Sequence, residues 1–446
     1  MDTISLPSTM SRKRPALISF LPSTIVKKRR TTMARKGPSV SMGMKETTTI
    51  LDLPLDLSAL ILDRLDRRDL NSMSLVSKSF LSVSSTYVHK LTFSYLLSFR
   101  IFTKLVNRFP YVKEITLSCL AIDHALNAIS NSCLNLDTLR LIEPFCYPDE
   151  QTLQNISSSR LRNLKSLQLN RICCSYTARP DQEMMIQFIQ LFPLLIDLDL
   201  STGIRWDDDW IRKLTEKFPN LRKINLHGNK GLTDVALTAL SANCFTLQEV
   251  NLNYCRGLTP QGICTLLRRS PQLTSLEFPR FKIDVATELA EALPFAKKLN
   301  HLSLKVAMRG DRILSAIART RPQLTSFKFD HSYATDMIDE YTMSGLNQLF
   351  KACRGLTRLE LTLPRIGSGI LDREMSRLVK HLSHLKHMEI LSSLSGHRTL
   401  FSLIRNCPSL ETIEMRTASF FPKNCHNLSR KITAFDLSGS IHLRTN

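Results

Sequence analysis

Residues 221–246 read LRKINLHGNKGLTDVALTALSANCFT, and residues 247–272 read LQEVNLNYCRGLTPQGICTLLRRSPQ. Set one beneath the other, they place Leu221, Ile224 and Leu226 over Leu247, Val250 and Leu252. Gly231-Leu232-Thr233 likewise falls over Gly257-Leu258-Thr259. The apolar residues of each kernel alternate at period two, so they share one side of a short strand. Leu232, Val235, Leu237 and Leu240 follow at helical spacing, and a Cys or Pro then leads into the next kernel.

Outward from this pair, the kernel Leu-x-x-Leu-x-Leu recurs with aliphatic or aromatic substitutes. It begins at Val112, Leu136, Leu164, Leu195, Leu221, Leu247, Leu273, Leu299, Leu324, Leu356, Leu385 and Leu410. A weaker thirteenth, Ile432-x-x-Phe435-x-Leu437, comes near the end of the chain. From Leu195 to Leu299 each interval is 26 residues, whereas 32 separate Leu324 from Leu356, marking an insertion that carries Tyr333 to Asp339. Strand, turn, helix and turn, repeated in parallel, predict an α/β repeat fold: a right-handed solenoid with strands on a concave face and helices on a convex one. About twelve strands at the usual separation give an inner sheet roughly 50 Å long, the size of a protein-binding cradle.

The repeats resemble the leucine-rich-repeat family, in particular its cysteine-containing subtype of roughly 26 residues. In this register Cys244, Cys255 and Cys407 act as small buried hydrophobes at loop corners. Eleven scattered cysteines, with no CxxC spacing, point to a reducing compartment rather than a disulfide framework.

Ahead of the array, residues 50–80 read ILDLPLDLSALILDRLDRRDLNSMSLVSKSF. Pro54 suits the first turn of a helix, and Leu57, Ile61 and Leu65 follow on one face. Asp69 is placed to cap a second helix in which Leu70, Met73, Val76 and Phe80 share a side. So short a unit cannot bury a full core alone and has to lean on a neighbour or partner. The segment resembles the F-box. Leu53-Pro54, Asp56, Leu57, Ile61-Leu62, Leu65, Asp69-Leu70 and Leu75-Val76-Ser77-Lys78-Ser79-Phe80 meet that family's pattern in order and without a gap. Ser77 stands where the family usually has Cys, and Phe80 where it usually has Trp. The resemblance implies docking to the adaptor subunit of an SCF ubiquitin ligase through Leu53, Pro54, Leu57, Ile61, Leu62, Leu65, Leu70, Leu75, Val76 and Phe80. The expected domains are then a basic tail over 1–46, the F-box over 47–90 and the solenoid over 91–446.

Charge is concentrated at the amino terminus. Of a net charge of +21 over 446 residues, +8 lies in residues 1–50. The rest is spread with both signs mixed, so the body carries no nucleic-acid stripe. The tail lacks any sustained apolar period and reads as disordered. Arg12-Lys13-Arg14 and Lys27-Lys28-Arg29-Arg30 have the layout of a two-part nuclear import signal, the alternative being a solvated basic tail. Pro15 and Pro22 interrupt both a secretory apolar region and the amphipathic helix of a mitochondrial presequence. The expected location is nucleus and cytoplasm. No apolar run is long enough to span a membrane.

Catalytic motifs are absent, and no cofactor is expected. His381, His384 and His387 fall at three-residue intervals, but the register puts only His387 on a strand, so a metal site is not expected. Adjacent Cys173 and Cys174 read as a loop pair without redox function. Trp206 and Trp210 flank three aspartates; the reading is an Asp that caps a helix over 208–217 and a Trp packed into the solenoid, with an interface hot spot as the alternative. Ligand contacts belong at the strand positions facing away from the core: Asp197, Asp199, Ser201, Lys223, Asn225, His227, Glu249, Asn251, Asn253, Ser275 and Glu277, then His301, Lys305, Lys328, Asp330, Arg358, Glu360, His387, Glu389, Glu414 and Arg416. Their mixed signs suit a folded protein or peptide better than a polyanion.

Together the two resemblances imply an F-box leucine-rich-repeat protein, the substrate receptor of an SCF-type ubiquitin ligase. It would be non-catalytic and monomeric within the complex, with the adaptor, and through it cullin, as partners. A leucine-rich scaffold outside the ligase and a leucine-rich GTPase regulator are the alternatives.

Overall fold

The computed structural model describes Ser72, residues 85–86, 88–94, 99–118, 122–142, 148–170, 182–201, 206–281, 285–306, 310–320, 323–331, 343–363, 368–391, 397–416, 432–435 and 440–443. The chain divides into two compact units at Tyr87/Val88. The expected adaptor-binding residues, the basic clusters, the Cys173-Cys174 pair and the Tyr333 to Asp339 insertion lie outside the described residues.

In the second unit each kernel forms a strand. These are β1 (Lys90–Ser94), β2 (Glu114–Ser118), β3 (Thr138–Ile142), β4 (Ser166–Asn170), β5 (Asp197–Asp199), β6 (Lys223–Asn225) and β7 (Glu249–Asn251). They continue as β8 (Ser275–Glu277), β9 (His301–Lys305), β10 (Ser326–Asp330), β11 (Arg358–Thr362), β12 (His387–Leu391) and β13 (Thr412–Arg416). All thirteen pair in parallel with their sequence neighbours, and a helix intervenes between each consecutive pair. The expected α/β repeat is the fold.

The alternation has the predicted cause. Leu198, Ile224, Val250, Leu276 and Leu302 stand opposite one another in register and are all buried, while the residues on either side of them, apart from the buried Ser303, are more exposed. Each such aliphatic contributes about 1.5–3 kcal/mol on full burial. On the helix side, Leu237 and Leu240 are buried as expected, but Val235 is 57% exposed and Ala236 takes the inward position. Cys244, Cys255 and Cys407 are buried corner residues whose thiols donate to carbonyls one repeat back, Phe218, Leu226 and Leu382. Burial pushes the three thiols up to about 12, about 12 and about 11, which keeps them protonated and unreactive.

A second repeated device joins the helices. The Asp208 carboxylate accepts from the Thr233 N–H at 2.8 Å, Asp234 from the Thr259 N–H at 2.9 Å, and Asp372 from the Thr399 N–H at 3.0 Å. Thr233 and Thr259 are themselves the N-caps of the helices Asp234–Asn243 and Pro260–Arg269. An aspartate near the start of one helix therefore holds the first turn of the next, where orphan N–H groups and the helix dipole favour a negative charge. The approach is close enough that a Cβ at Gly262 would lie 2.1 Å from Asp234 Oδ1.

Both ends depart from expectation. β1 is an additional parallel strand before Val112, formed by Val88-x-x-Leu91-x-Phe93. The kernel proposed at Ile432 is not a thirteenth coil: β14 (Ile432–Phe435) and β15 (Ser440–Leu443) make an antiparallel hairpin, and β15 runs antiparallel to β13.

Candidate functional site

The open face of the sheet displays most of the side chains expected to meet a ligand, but it ties many of them to each other. Asp197 accepts from Ser166 Oγ at 2.9 Å, and Asp199 accepts from Asn225 Nδ2 at 3.0 Å. Burial raises the Asp197 carboxyl above its ordinary range despite the Ser166 hydrogen bond. Lys223 pairs with Glu249 at 2.6 Å. Farther along, Glu360 is held between Lys328 at 2.5 Å and Arg358 at 2.8 Å. Burial alone would push Glu360 up, but these two cations outweigh it and hold the carboxyl below its ordinary range. Glu389 lies one strand over, and burial together with Glu360 and Glu414 raises it. A cavity of about 220 Å³ opens here, lined by Arg358, Glu360, His387, Glu389, Thr412 and Glu414.

The histidines are spaced as separate hydrogen-bonding groups. His301 Nδ1 meets Ser326 Oγ at 2.8 Å, and burial lowers its pKa. His387 Nδ1 meets Thr412 Oγ1 at 2.8 Å, whereas His384 Nδ1 lies 3.3 Å from the Arg354 carbonyl. No group of three metal-ligating side chains converges among the described residues.

Two expectations need correction. Asn253, placed by its register on the open face, is buried, and its amide donates to the Glu277 carboxylate while its backbone N–H donates to Asn251 Oδ1 at 3.0 Å. Ser201 is buried as well, because its N–H turns back to Asp199 Oδ1 at 2.9 Å. The tryptophans are structural: Asp207 caps the helix Asp208–Lys217, both rings are buried 3.9 Å apart, and Trp206 Nε1 donates to the Leu200 carbonyl at 3.2 Å. The expectation that one Trp packs inside becomes two.

One surface residue was not anticipated. Tyr254 adopts φ 62°, and among the described residues it is the only non-glycine with positive φ. The equivalent position one repeat earlier is Gly228, with φ 82°. A side chain in this conformation costs about 1–2 kcal/mol. The ring is 43% exposed. It stands edge-to-face with His227 at 5.0 Å, and the Lys305 ammonium lies 4.4 Å from its centroid. Aligning Gly228 with Tyr254 at the 26-residue spacing is the sequence signal that exposes this substitution.

The F-box domain family matches residues 50–100. The match begins ahead of the repeat sheet on the same chain. The F-box match extends beyond the division at Tyr87/Val88 and takes in β1. The F-box protein SKIP1 of Arabidopsis thaliana is 21% identical over 225 residues, covering 46% of this chain and 68% of its own. A chain of the crystal structure of the Rad7 and Elc1 complex in yeast superposes with a TM-score of 0.50 at 18% identity, covering 76% of this chain and 90% of its own. That likeness shows the solenoid fold.

Proposed function

We propose that this F-box protein is the substrate receptor of an SCF-type ubiquitin ligase. The observation that carries the reading is the F-box match at residues 50–100 on the same chain as a thirteen-strand parallel repeat sheet with a polar open face. The F-box binds the adaptor through Leu53, Pro54, Leu57, Ile61 and the apolar positions that follow, and the adaptor brings cullin. The repeat face binds a protein target. Transfer is accelerated by proximity, because a bound target lysine meets the ubiquitin thioester at high effective concentration. The chain itself does no covalent chemistry in this scheme, and the basic clusters direct it to the nucleus.

The test is affinity capture from native cells with the intact chain and a Leu53→Ala, Pro54→Ala, Ile61→Ala variant. Adaptor and cullin recovered with the intact chain and lost with the variant support the reading. Their absence from both captures rejects it in favour of a scaffold outside the ligase.

A further inference from the structure

Tyr254, Lys305 and His227 form a cluster across the turns at the carboxyl ends of the central strands. Lys305, at the end of β9, reaches back past β8 to Tyr254, where its ammonium donates to the phenol oxygen at 3.3 Å and covers the ring. The strand between makes room, since the intervening position is Pro279, which is buried. His227 stands edge-to-face with the same ring.

Lys305 differs from the other lysines and arginines of the sheet. Among strand residues with described side chains, Lys90, Arg140, Lys223, Lys328 and Arg358 each pair with a carboxylate. Lys305 has no ion pair among the described residues and keeps a phenol as its partner. An ammonium over an aromatic face retains protons directed outward, and a desolvated anion is the group that satisfies them best. Lys230 and Arg256, exposed in the two turns that hold Gly228 and Tyr254, add to the positive potential. His227 adds no charge of its own: burial and then Lys305 lower its pKa, so it presents a neutral ring.

The backbone points the same way. The preceding repeat satisfies this left-handed turn with Gly228, so an aromatic residue at Tyr254 is not there to make the turn. It places a rigid, half-exposed ring beside an unpaired cation. The carboxylates of Asp199, Glu249 and Glu277 on the neighbouring strands oppose a polyanion lying along the sheet, which favours a peptide carrying one well-placed negative group.

We propose that Lys305 and Tyr254 form the specificity-determining contact of the repeat face, which takes an anionic side chain on a peptide segment of the bound protein. The anion is a carboxylate or a phosphate ester accepting from Lys305, with the flanking peptide packed on Tyr254. The assignment rests on the reading of the repeat face as a target-binding surface.

The experiment uses the full-length chain on arrays of synthetic peptides with degenerate flanks and a central position fixed as Glu, phosphoserine, Ser, Ala or Lys. Glu or phosphoserine spots are expected to exceed Ala and Lys spots about tenfold, the discrimination of one charge-assisted contact. Phosphoserine above Glu identifies a phosphate source, and equal signal identifies a carboxylate. Lys305→Glu is expected to reverse the preference toward Lys spots. Tyr254→Gly is expected to weaken the Glu and phosphoserine signals with no loss of thermal stability, because the flanking peptide loses its ring while glycine suits the left-handed turn. Equal signal at all five central residues, or an unchanged preference in Lys305→Glu, overturns the proposal. Adaptor capture on the same preparations separates the two readings: loss of adaptor binding with the anion preference intact rejects the ligase and leaves this contact standing.

Discussion

Strands β5 to β8 are three residues long, whereas β1 to β4 and β9 to β13 are five, although all thirteen share one sheet and one buried row. The difference has a local cause. In the central repeats Asp199, Asn225 and Asn251 occupy the fifth kernel position, and each side chain accepts from the N–H two residues on, at 2.9, 3.1 and 3.0 Å. That short polar acceptor draws the chain out of the ladder into a turn. In the fourth central repeat Pro279 has no N–H with which to extend the strand. The five-residue strands carry Thr92, Thr116, Arg140, Gln168, Ser303, Lys328, Glu360, Glu389 or Glu414 at the corresponding place, and the ladder continues. Strand length in this solenoid is thus set by one side chain per repeat, and the released residues supply the turns that hold His227 and Tyr254.

The strongest way to break the comparison is at the core both regions share. Leu252→Ala in the centre and Leu361→Ala near the carboxyl end should each cost about 2–5 kcal/mol in urea unfolding, since both are buried. A much smaller loss at either site would show that its repeat is not part of the common core. Next comes the helix ladder. Asp234→Ala should cost about 1–3 kcal/mol, and hydrogen exchange should rise most in the following helix, Pro260–Arg269, which loses its neighbour's carboxylate. Uniform exchange across both helices would refute that direction. The strand-length argument itself is sharpened by Asn225→Ala, expected to cost about 0.5–1.5 kcal/mol. Its five-residue counterpart, Gln168→Ala, should stay within about 0.5 kcal/mol.

The smallest effects concern charge. Glu360 is held low, so its contribution is complete above the ordinary glutamate range and fades as pH falls through that range toward its lowered value. Glu389 is raised, so its ionisation weakens the fold as pH climbs from the ordinary glutamate range through the raised value. At neutral pH, Glu360→Gln should therefore lower the melting temperature and Glu389→Gln should raise it slightly. Shifts of the same sign would contradict the opposed environments of the two carboxyls.

Legibility in the sequence followed the same division. The 26-residue repeats announce themselves because leucine fills nearly every inward position, and the parallel sheet follows from that spacing. β1 was hidden because Val88, Leu91 and Phe93 lie within the stretch that also matches the F-box. The Ile432 segment has the kernel's letters, and alternation alone does not distinguish a parallel coil from an antiparallel hairpin. At the candidate face the register identified Lys305 and His227. It could not see that Asn253 would turn inward to Glu277, nor that Tyr254 would stand where a glycine served one repeat earlier, since both depend on backbone conformation at a turn.

The helix ladder also has an arrow. At each such junction the aspartate belongs to the earlier repeat and the capped threonine to the later one. A helix leaving the ribosome therefore finds the carboxylate that fixes its first turn already in place on the coil made before it. A helix docking onto a later coil would begin without that support. Nearest-neighbour stacking makes a solenoid able to grow from either end; the aspartates bias this one to grow in the order in which it is synthesised.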